Sequence, residues 1–481
     1  MIRPVSERRW LILATCCMSL FIVGLDNTIL NIALPAIRRD LHAPLSGLQW
    51  TSDAYTLVLA SLLLMAGSTA DRIGRRRVFR TGLVVFATAS LLCGLAPGLG
   101  WLVAFRVLQA IGGAMLNPVA MSIIANTFTE PRERARAIGV WAAVAGISIA
   151  LGPLVGGALV QAVGWRAIFW VNVPVAVVAL VFTARFAPES RALRPRRVDP
   201  VGQVLVLVLL AALTSAIIEG PASGWGSTKI LALLAAAAIA LVGLLGYEPR
   251  RTDPLIDVRL FGSAPLAGAT MIAVCAFAAL AGFLFVNTLY LQEVRGLSAL
   301  LAGLYTLPMA TMAIILAPLA GRLVGTRGPR LPLIIAGIAM TASGLQLTRL
   351  SAHTPVLALL AAYVVFGIGF GMVNTPITNT AVAGLPRAQA GVAAALASTS
   401  RQVGQSLGVA VIGSVVTAGI QGSLREHLAP ASHIGWWVVT GCGAAILVLG
   451  ILTTGRWAVG TAARTADRLY PDDAKVPVPT P

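Results

Sequence analysis

Fourteen long apolar runs constrain the fold of this chain more than any other feature. Each has roughly the 20 residues that an α-helix needs to cross about 30 Å of hydrocarbon. With 57% hydrophobic and only 11% charged residues, the chain is unlike a soluble domain, which carries about 25% charged residues. The sequence therefore predicts an all-α integral membrane protein with fourteen transmembrane helices. The runs cover residues 10–32, 48–66, 78–96, 101–124, 137–160, 167–185, 201–219, 229–247, 265–290, 300–320, 331–350, 355–375, 391–420 and 434–455.

The distribution of basic residues predicts the orientation of these spans. An even number of spans places both termini on the same side of the membrane. Of the 36 lysines and arginines, seven fall on the opposite side and two inside spans, which leaves 27 on the side of the termini. Because basic residues accumulate in cytoplasmic loops, we expect a multi-pass protein of the cytoplasmic membrane with both termini inside. The net charge of +18 is then a topology signal, and we expect no nucleic-acid partner.

The chain repeats itself internally. Residues 67–76, between spans 2 and 3, match residues 321–330, between spans 10 and 11, at an offset of 254. The glycine pattern of residues 152–156 in span 5 recurs at residues 404–408 in span 13, at an offset of 252. Since this offset spans eight helices, the simplest architecture is two pseudo-symmetric six-helix bundles plus a two-helix insert.

This architecture predicts where the domains begin and end. We expect an N-terminal six-helix bundle at 1–190, a two-helix insert at 191–260 and a C-terminal six-helix bundle at 261–456. Residues 457–481 are polar, end in PVPTP, and are expected to form a disordered cytoplasmic tail. Duplicated halves are typical of secondary transporters, in which the site lies at the repeat interface near the bilayer midplane.

Ionisable residues inside the spans of the N-terminal half are the first candidates for function. Inserting a charged side chain at mid-bilayer costs roughly 2.5–3.5 kcal/mol of free energy. Such residues are therefore rare unless they have a function. Asp26 in span 1 and Arg106 in span 4 lie at similar depth. They are expected to meet as a proton-coupling site, or else as a structural ion pair. Asp53 in span 2 either joins this cluster or lies at the water interface.

Other polar residues within the spans are candidates to line a substrate cavity. Arg401 lies deep in span 13 without a carboxylate in the same span. It either binds an anionic or polar group of a substrate or bonds to backbone carbonyls. The full set of cavity candidates is Asn31, Gln109, Asn287, Asn374, Arg401 and Gln405.

A short cytoplasmic turn between spans 2 and 3 combines acidic, basic and glycine residues. A loop that only marks the cytoplasmic side needs neither an aspartate nor glycines. The aspartate is positioned to pair with an arginine, and glycines let two helix ends approach closely. We therefore expect a gate that closes the cytoplasmic side, formed by Gly67, Asp71, Arg72, Gly74, Arg75 and Arg76.

Span 5 carries a glycine-rich motif with a proline at its centre. Small residues four apart allow close packing between membrane helices, and an interior proline removes a backbone hydrogen bond. An ordinary packing face is the alternative to a specialised role. The residues concerned are Gly146, Gly152, Pro153, Gly156 and Gly157.

Several catalytic motifs are excluded by their context. Residues 404–408 fit the G-x-S-x-G pattern of hydrolases, but that motif needs a strand and a sharp turn, whereas here it lies within one apolar run. The chain also lacks the G-K-[ST] of a P-loop and an H-E-x-x-H zinc motif. We therefore expect no enzyme, no metal and no cofactor.

These motifs resemble those of the major facilitator superfamily, specifically its fourteen-span drug:proton antiporter branch. Residues 67–77 resemble its cytoplasmic motif A, 25–35 its span 1 motif, 106–113 its motif B and 146–157 its antiporter motif C. The second copy of motif A departs from the pattern, with Gly325 at the position of Asp71.

The resemblance implies a function. It implicates Arg106 in proton coupling and favours export over uptake. We expect a monomeric, proton-driven antiporter that exports amphipathic organic compounds by alternating access. A dedicated exporter of a self-made metabolite or lipid, and a proton-coupled importer, are the alternatives.

Overall fold

The computed structural model describes residues 5–191, 198–251, 254–385, 390–420 and 422–469. Within these ranges every regular element is helical, and fourteen stretches are long and apolar enough to cross a membrane. The predicted all-α fold with fourteen spans is confirmed. The α-helices are α1 Val5–Leu41, α2 Leu45–Ile73, α3 Arg75–Gly94, α4 Leu99–Ala114, α5 Asn117–Thr127, α6 Pro131–Ala162, α7 Ala167–Trp170, α8 Asn172–Phe186, α9 Pro200–Ser223, α10 Thr228–Tyr247, α11 Ala264–Leu289, α12 Ala299–Arg327, α13 Arg330–Leu347, α14 Val356–Ala383, α15 Ala390–Gly419, α16 Leu424–Leu452 and α17 Arg456–Leu469.

Two of the spans are each built from two α-helices, and a proline explains each break. Helix α4 ends at Ala114. In a continuous helix the carbonyl of Ala114 would accept a hydrogen bond from the N–H of residue 118, which is a proline. Helix α7 ends at Trp170, four residues before Pro174. Because proline has no N–H to donate, the helical ladder is interrupted at both positions. The second break places Asn172 at the start of α8.

The contacts of the chain divide it into two compact units. Unit 1 comprises residues 1–207 and 296–304, and unit 2 comprises residues 208–295 and 305–481. The first boundary falls inside α9, so the predicted insert at 191–260 contributes to both units. The limits predicted for the two bundles and the insert therefore stay a prediction.

In unit 1, glycines of α6 allow it to lie directly against α1. A Cβ atom at Gly156 would lie 2.6 Å from Cγ2 of Ile32 and 2.8 Å from Cγ1 of Ile29. A Cβ at Gly152 would collide with Thr28 and would lie 3.0 Å from the nitrogen of Ile29. Only glycine fits at these two positions without a shift of the neighbouring helix.

The opposite side of the same motif meets the start of α12, whose residues up to 304 belong to unit 1. A Cβ at Gly157 would lie 2.5 Å from the carbonyl oxygen of Ala299, and a Cβ at Gly303 would collide with the carbonyl oxygen of Pro153. Gly146, in contrast, has no atom within 4 Å of the position of a Cβ. The motif predicted from the sequence is thus a two-sided packing surface from which Gly146 is excluded.

Unit 2 repeats this packing, which confirms the internal repeat. Gly404 and Gly408 of α15 lie against the backbone of Val274 and Ala278 of α11. Helix α15 therefore packs on α11 as α6 packs on α1.

The turns at the two copies of motif A are also alike. Gly74 has a φ of +126° and Gly328 has a φ of +77°, a region of backbone conformation that favours glycine. Each glycine separates two membrane-spanning helices, and the two positions are related by the offset of 254.

The chain does not become disordered at residue 457, so that prediction is wrong for residues 457–469. This segment belongs to helix α17, whose buried residues Ala458, Ala462 and Thr465 follow the helical spacing of four and three. The tail looks polar in composition, but a narrow stripe of small residues is enough to dock it. Residues 470–481 lie outside the described residues.

A pair of alanine substitutions tests the packing surface of α6. We expect Gly156→Ala to destabilise the protein by about 1–3 kcal/mol, since the added methyl group overpacks the contact with α1. Gly146→Ala is the matched control, and it should be neutral or slightly stabilising because alanine favours a helix. The measurement is the thermal unfolding midpoint of the purified protein in detergent. Equal midpoints for the two variants would contradict the close contact.

Candidate functional site

A buried ion pair lies at the centre of unit 1. Nη1 of Arg106 is 2.5 Å from Oδ2 of Asp26, and both side chains are 1% exposed. Asp26 comes from α1 and Arg106 from α4, so the pair joins two spans that are distant in sequence. The structure confirms that these two residues meet.

Three further polar side chains complete a network around the pair. Oδ1 of Asp26 accepts hydrogen bonds from Nε2 of Gln109 at 2.9 Å and from Nδ2 of Asn172 at 3.1 Å. Oε1 of Gln109 accepts a hydrogen bond from Arg106 at 2.7 Å, and its Nε2 also lies 2.8 Å from the hydroxyl of Ser90. Both oxygens of Asp26 are therefore occupied by donors from α4 and α8.

This arrangement changes the interpretation of two residues. Gln109, a candidate for the substrate cavity, is hydrogen-bonded into the ion-pair network instead. Asn172 was not a predicted site residue, although its side chain contacts the central carboxylate directly. A signal for it exists in the sequence, because Asn172 lies two residues before the proline that breaks span 6.

The guanidinium of Arg106 is fixed from a further side by α2. Its Nε donates to the carbonyl oxygen of Thr51 at 3.1 Å, and its Cζ lies 4.2 Å from the centre of the Tyr55 ring. The contact with Tyr55 is a cation–π interaction.

Desolvation offsets much of the attraction within a buried ion pair such as Asp26–Arg106, but removal of one partner leaves an uncompensated charge and costs about 3–5 kcal/mol.

Asp53 is separate from this network. It is fully buried, which is contrary to a position at the water interface, and neither carboxylate oxygen has a hydrogen-bond partner among the described residues. Thr51 and Tyr55, which contact Arg106, lie two residues to either side of it. Successive helical residues are rotated by about 100°, so Asp53 occupies the other side of α2. Its role in proton coupling stays a prediction.

The predicted gate residues lie in the last turns of α2, in the first turn of α3 and at Gly74, which forms the tight turn between them. Oδ1 of Asp71 accepts hydrogen bonds from Nε of Arg75 at 3.0 Å and from Nη2 at 2.8 Å. Gly74 lies between them with its positive φ. The expected pairing of the aspartate with an arginine is present, but it occurs within the turn itself. Arg72 is exposed, and a Cβ at Gly67 would meet Pro118 only at an ordinary 3.7 Å.

Glu189, which follows α8, closes over this turn and was not predicted. Its Oε1 accepts a hydrogen bond from the backbone nitrogen of Arg76 at 3.1 Å, and its Oε2 lies 3.6 Å from Nε of Arg77. A Cβ at Gly74 would lie 2.5 Å from the same carboxylate. The side chain of Arg76 also donates to the carbonyl of Ala184. Glycine at position 74 thus serves both the backbone conformation and the approach of Glu189.

In unit 2, Arg401 bonds to α14. Its Nη2 donates to the hydroxyl of Thr378 at 2.5 Å and to the carbonyl of Asn374 at 3.5 Å, while its Cζ lies 5.9 Å from the Phe277 ring. Its buried Nε has no partner within the described ranges. The contact with Asn374 involves the backbone and leaves the amide side chain out of the bond.

Each of the other cavity candidates is described by its contacts within its own unit. Asn287 accepts a hydrogen bond from the hydroxyl of Tyr363, a residue that was not predicted. Asn31 donates to the carbonyl of Asn27 one turn earlier in the same helix. Gln405 has a buried Oε1 without a partner in the part of the chain that the structure describes. Their assignment to a substrate cavity stays a prediction.

The sequence model of the Major Facilitator Superfamily matches residues 16–409 of this chain. The chain belongs to this superfamily. The resemblance seen in its motifs is thereby confirmed, and a membrane transporter accounts for its fourteen apolar helices.

Several relatives of this superfamily member are similar over most of their length. The multidrug resistance protein Stp of Mycobacterium tuberculosis is 37% identical over 424 residues, which cover 88% of this chain and 79% of that protein. The tetracenomycin C resistance and export protein of Streptomyces glaucescens is 39% identical, with the same coverage. The multidrug efflux pump LfrA of Mycolicibacterium smegmatis is 36% identical and covers 85% of this chain and 81% of that protein.

Solved structures support the fold of this superfamily member. A bacterial homologue of the human lysosomal transporter Spinster aligns with a TM-score of 0.62 at 20% identity, covering 98% of this chain and 99% of that one. A D-xylose-proton symporter aligns with a TM-score of 0.65 at 14% identity, covering 93% and 98%. At these identities the similarity extends to the fold alone.

The buried pair predicts an unusual order of stabilities. We expect Arg106→Gln to lower the free energy of unfolding by about 3–5 kcal/mol, because Asp26 is left charged and unpaired. The double variant Asp26→Asn with Arg106→Gln should recover part of this loss, since both charges are gone. Thermal unfolding in detergent gives the ranking.

The matched control is Arg9→Gln, which removes the partly exposed Arg9–Glu133 pair at 3.3 Å. An exposed pair contributes about 0–1 kcal/mol, so this variant should unfold near the wild type. A double variant that is no more stable than Arg106→Gln alone would contradict the interpretation of an isolated, buried pair.

Proposed function

We propose that this protein exports amphipathic organic compounds across the cytoplasmic membrane in exchange for protons. It alternates between inward-facing and outward-facing states, is driven by the proton gradient without a cofactor, and has both termini in the cytoplasm. The monomer is the proposed working unit. The observation that carries the proposal is the buried Asp26–Arg106 network, found in a superfamily member whose relatives are named as resistance and export proteins.

The direction of transport is supported by those relatives. Proteins 36–39% identical over most of the chain are named for multidrug resistance, efflux and antibiotic export. The structurally similar D-xylose-proton symporter shares only 14% sequence identity with this chain, so the similarity does not favour import.

Proton coupling is supported by the geometry of the network. A proton that binds Asp26 removes the negative charge that holds Arg106, Gln109 and Asn172 in place. These three groups belong to α4 and α8, so loss of the charge loosens both helices from α1. Protonation at one carboxyl can in this way shift the balance between two arrangements of the spans, as a switch between discrete states requires.

The driving force is sufficient for such an exchange. A membrane potential of about 100 mV supplies about 2.3 kcal/mol per charge, and one pH unit adds about 1.4 kcal/mol. For a neutral substrate exchanged against one proton, the sum supports a gradient of a few hundred-fold. A monovalent cation exchanged one for one would use only the pH difference, about tenfold per unit.

A dedicated exporter of a self-made metabolite is the second candidate. The relative that is 39% identical is named for resistance to and export of a single antibiotic, tetracenomycin C. A resistance profile of cells that overexpress the protein separates the two functions. A broad exporter raises the tolerated dose of chemically unrelated drugs, whereas a dedicated one raises that of a single class.

Export against a proton gradient is tested in everted membrane vesicles with ethidium as the probe. We expect accumulation of ethidium in energised vesicles, and its loss when nigericin collapses the pH difference, since a cation exchanged one for one depends on that term. Vesicles without the protein are the control. Accumulation that survives the collapse of both the pH difference and the potential would contradict proton coupling.

The proton site is tested by comparing the two buried carboxyls of unit 1. We expect probe-dependent proton release to vanish in Asp26→Asn and to persist in Asp53→Asn, because only Asp26 is bonded to groups on other helices. The measurement is the pH change that the probe induces across the membrane of vesicles that contain equal amounts of each variant. Unchanged release in Asp26→Asn would overturn the assignment of the proton to this residue.

A further inference from the structure

A cavity of about 360 Å³ lies in unit 2 between helix α17 and the 3₁₀ segment Val258–Gly262. It is lined by three arginines, Arg259, Arg464 and Arg468, together with Thr461 and Thr465. None of these residues belongs to the sites considered above.

The positive charge of this cavity is only partly compensated. Arg259 forms two hydrogen bonds of 2.9 Å with the carboxylate of Asp257. Arg464 and Arg468 have no ion-pair partner among the described residues, and like charges four residues apart on a helix repel each other. Asp467, the one acidic residue in α17, is rotated by about 100° from Arg468 and forms no ion pair with it. An anion in the cavity would relieve this repulsion.

A role in stabilising the helix accounts for only one of the two uncompensated arginines. Arg468 is in the last turn of α17, where a cation interacts favourably with the helix dipole. Arg464 is a full turn earlier, where this effect is small. Its side chain is exposed and lines the cavity, so it is accessible to an anionic ligand.

The side of α17 that carries the arginines extends beyond the cavity to an apolar residue, Trp457. Trp457, Thr461, Arg464 and Arg468 are spaced by four, three and four residues, so they share one side of the helix. Trp457 is 66% exposed and follows closely on the last span, which ends at Leu452. Tryptophan is typical of the membrane–water interface, and the arginines lie up to about 16 Å further along the helix.

We propose that this cavity binds the phosphate of an anionic phospholipid from the cytoplasmic leaflet. The arginines contact the phosphate, and the indole of Trp457 lies against the apolar part of the lipid. Clusters of basic residues beside a membrane span attract such headgroups. The choice of leaflet rests on the orientation given in the proposed function, whereas binding of the phosphate rests on the cavity alone.

The bound lipid would hold helix α17 against the segment that precedes α11. Thr461 already accepts a hydrogen bond from the nitrogen of Ala264 at 2.9 Å. A Cβ at Gly262 would lie 3.2 Å from the hydroxyl of Thr465. A phosphate held by Arg259 on one side and by Arg464 and Arg468 on the other would reinforce this contact, so we expect lipid binding to raise the stability of the protein.

The test measures lipid binding to the full-length protein in detergent, without any transport. Delipidated protein is titrated with phosphatidylglycerol or with phosphatidylcholine, and bound lipid is counted by native mass spectrometry alongside the thermal midpoint. We expect phosphatidylglycerol to bind more tightly and to raise the midpoint. The double variant Arg464→Gln with Arg468→Gln should weaken its binding about 30-fold, at roughly fivefold per arginine, without affecting phosphatidylcholine.

Two control variants make the outcome specific. Arg456→Gln removes one positive charge from the same helix but does not line the cavity, so it should retain wild-type affinity, whereas Arg464→Gln alone should weaken binding about fivefold. The double lysine variant Arg464→Lys with Arg468→Lys keeps the charge and should retain most of the binding, which separates a lost site from a misfolded helix. Equal weakening by Arg456→Gln, or unchanged binding in the double glutamine variant, would overturn the proposal.

Inorganic phosphate tests whether the cavity binds a free phosphate ion instead of the phosphate of a lipid. If millimolar phosphate displaces phosphatidylglycerol and stabilises the protein equally well, the cavity binds a soluble phosphate and the lipid assignment fails. If the binding results are as expected but vesicles show no export, the proposed function fails and the lipid site stands.

Discussion

The contact between Asp26 and Arg106 is the interaction on which the arrangement of unit 1 depends. Two opposite charges at 1% exposure are tolerable in a membrane helix bundle only if each satisfies the other and their remaining hydrogen-bonding groups find partners. Gln109, Asn172 and the backbone of Thr51 supply those partners. The pair therefore fixes the rotation and depth of α1, α2, α4 and α8 together, and a change in its charge is felt in all four helices.

Close packing at glycines is the second constraint, and it keeps α1, which carries Asp26, in contact with α6. Gly152 and Gly156 bring α6 onto the backbone of α1 only two to six residues beyond Asp26. Membrane helices gain no hydrophobic stabilisation from meeting each other, so backbone approach and dispersion contacts decide which pairs form. The same packing between α15 and α11 shows that this is the structural part of the repeat, shared by both halves.

The charged residues do not follow the repeat. Unit 1 has the complete Asp26–Arg106 pair, whereas Arg401 of unit 2 is bonded to a hydroxyl and a carbonyl. Glycine positions recur because the same close helix packing is made in each half, whereas the ionisable groups do not recur. The proposed function places the proton in unit 1, where the complete pair lies.

The fourteen spans, their repeat and the candidate ion pair could be predicted from the amino-acid sequence. A membrane span is a local property, since each stretch of about 20 residues must satisfy its own backbone and face lipid. The partners of the polar groups, and the breaks at Pro118 and Pro174, became evident from the folded chain. It brought Asn172 to Asp26 and Glu189 to Gly74, left Asp53 apart from the network, and docked α17, because those contacts depend on how helices distant in sequence are rotated and packed against one another.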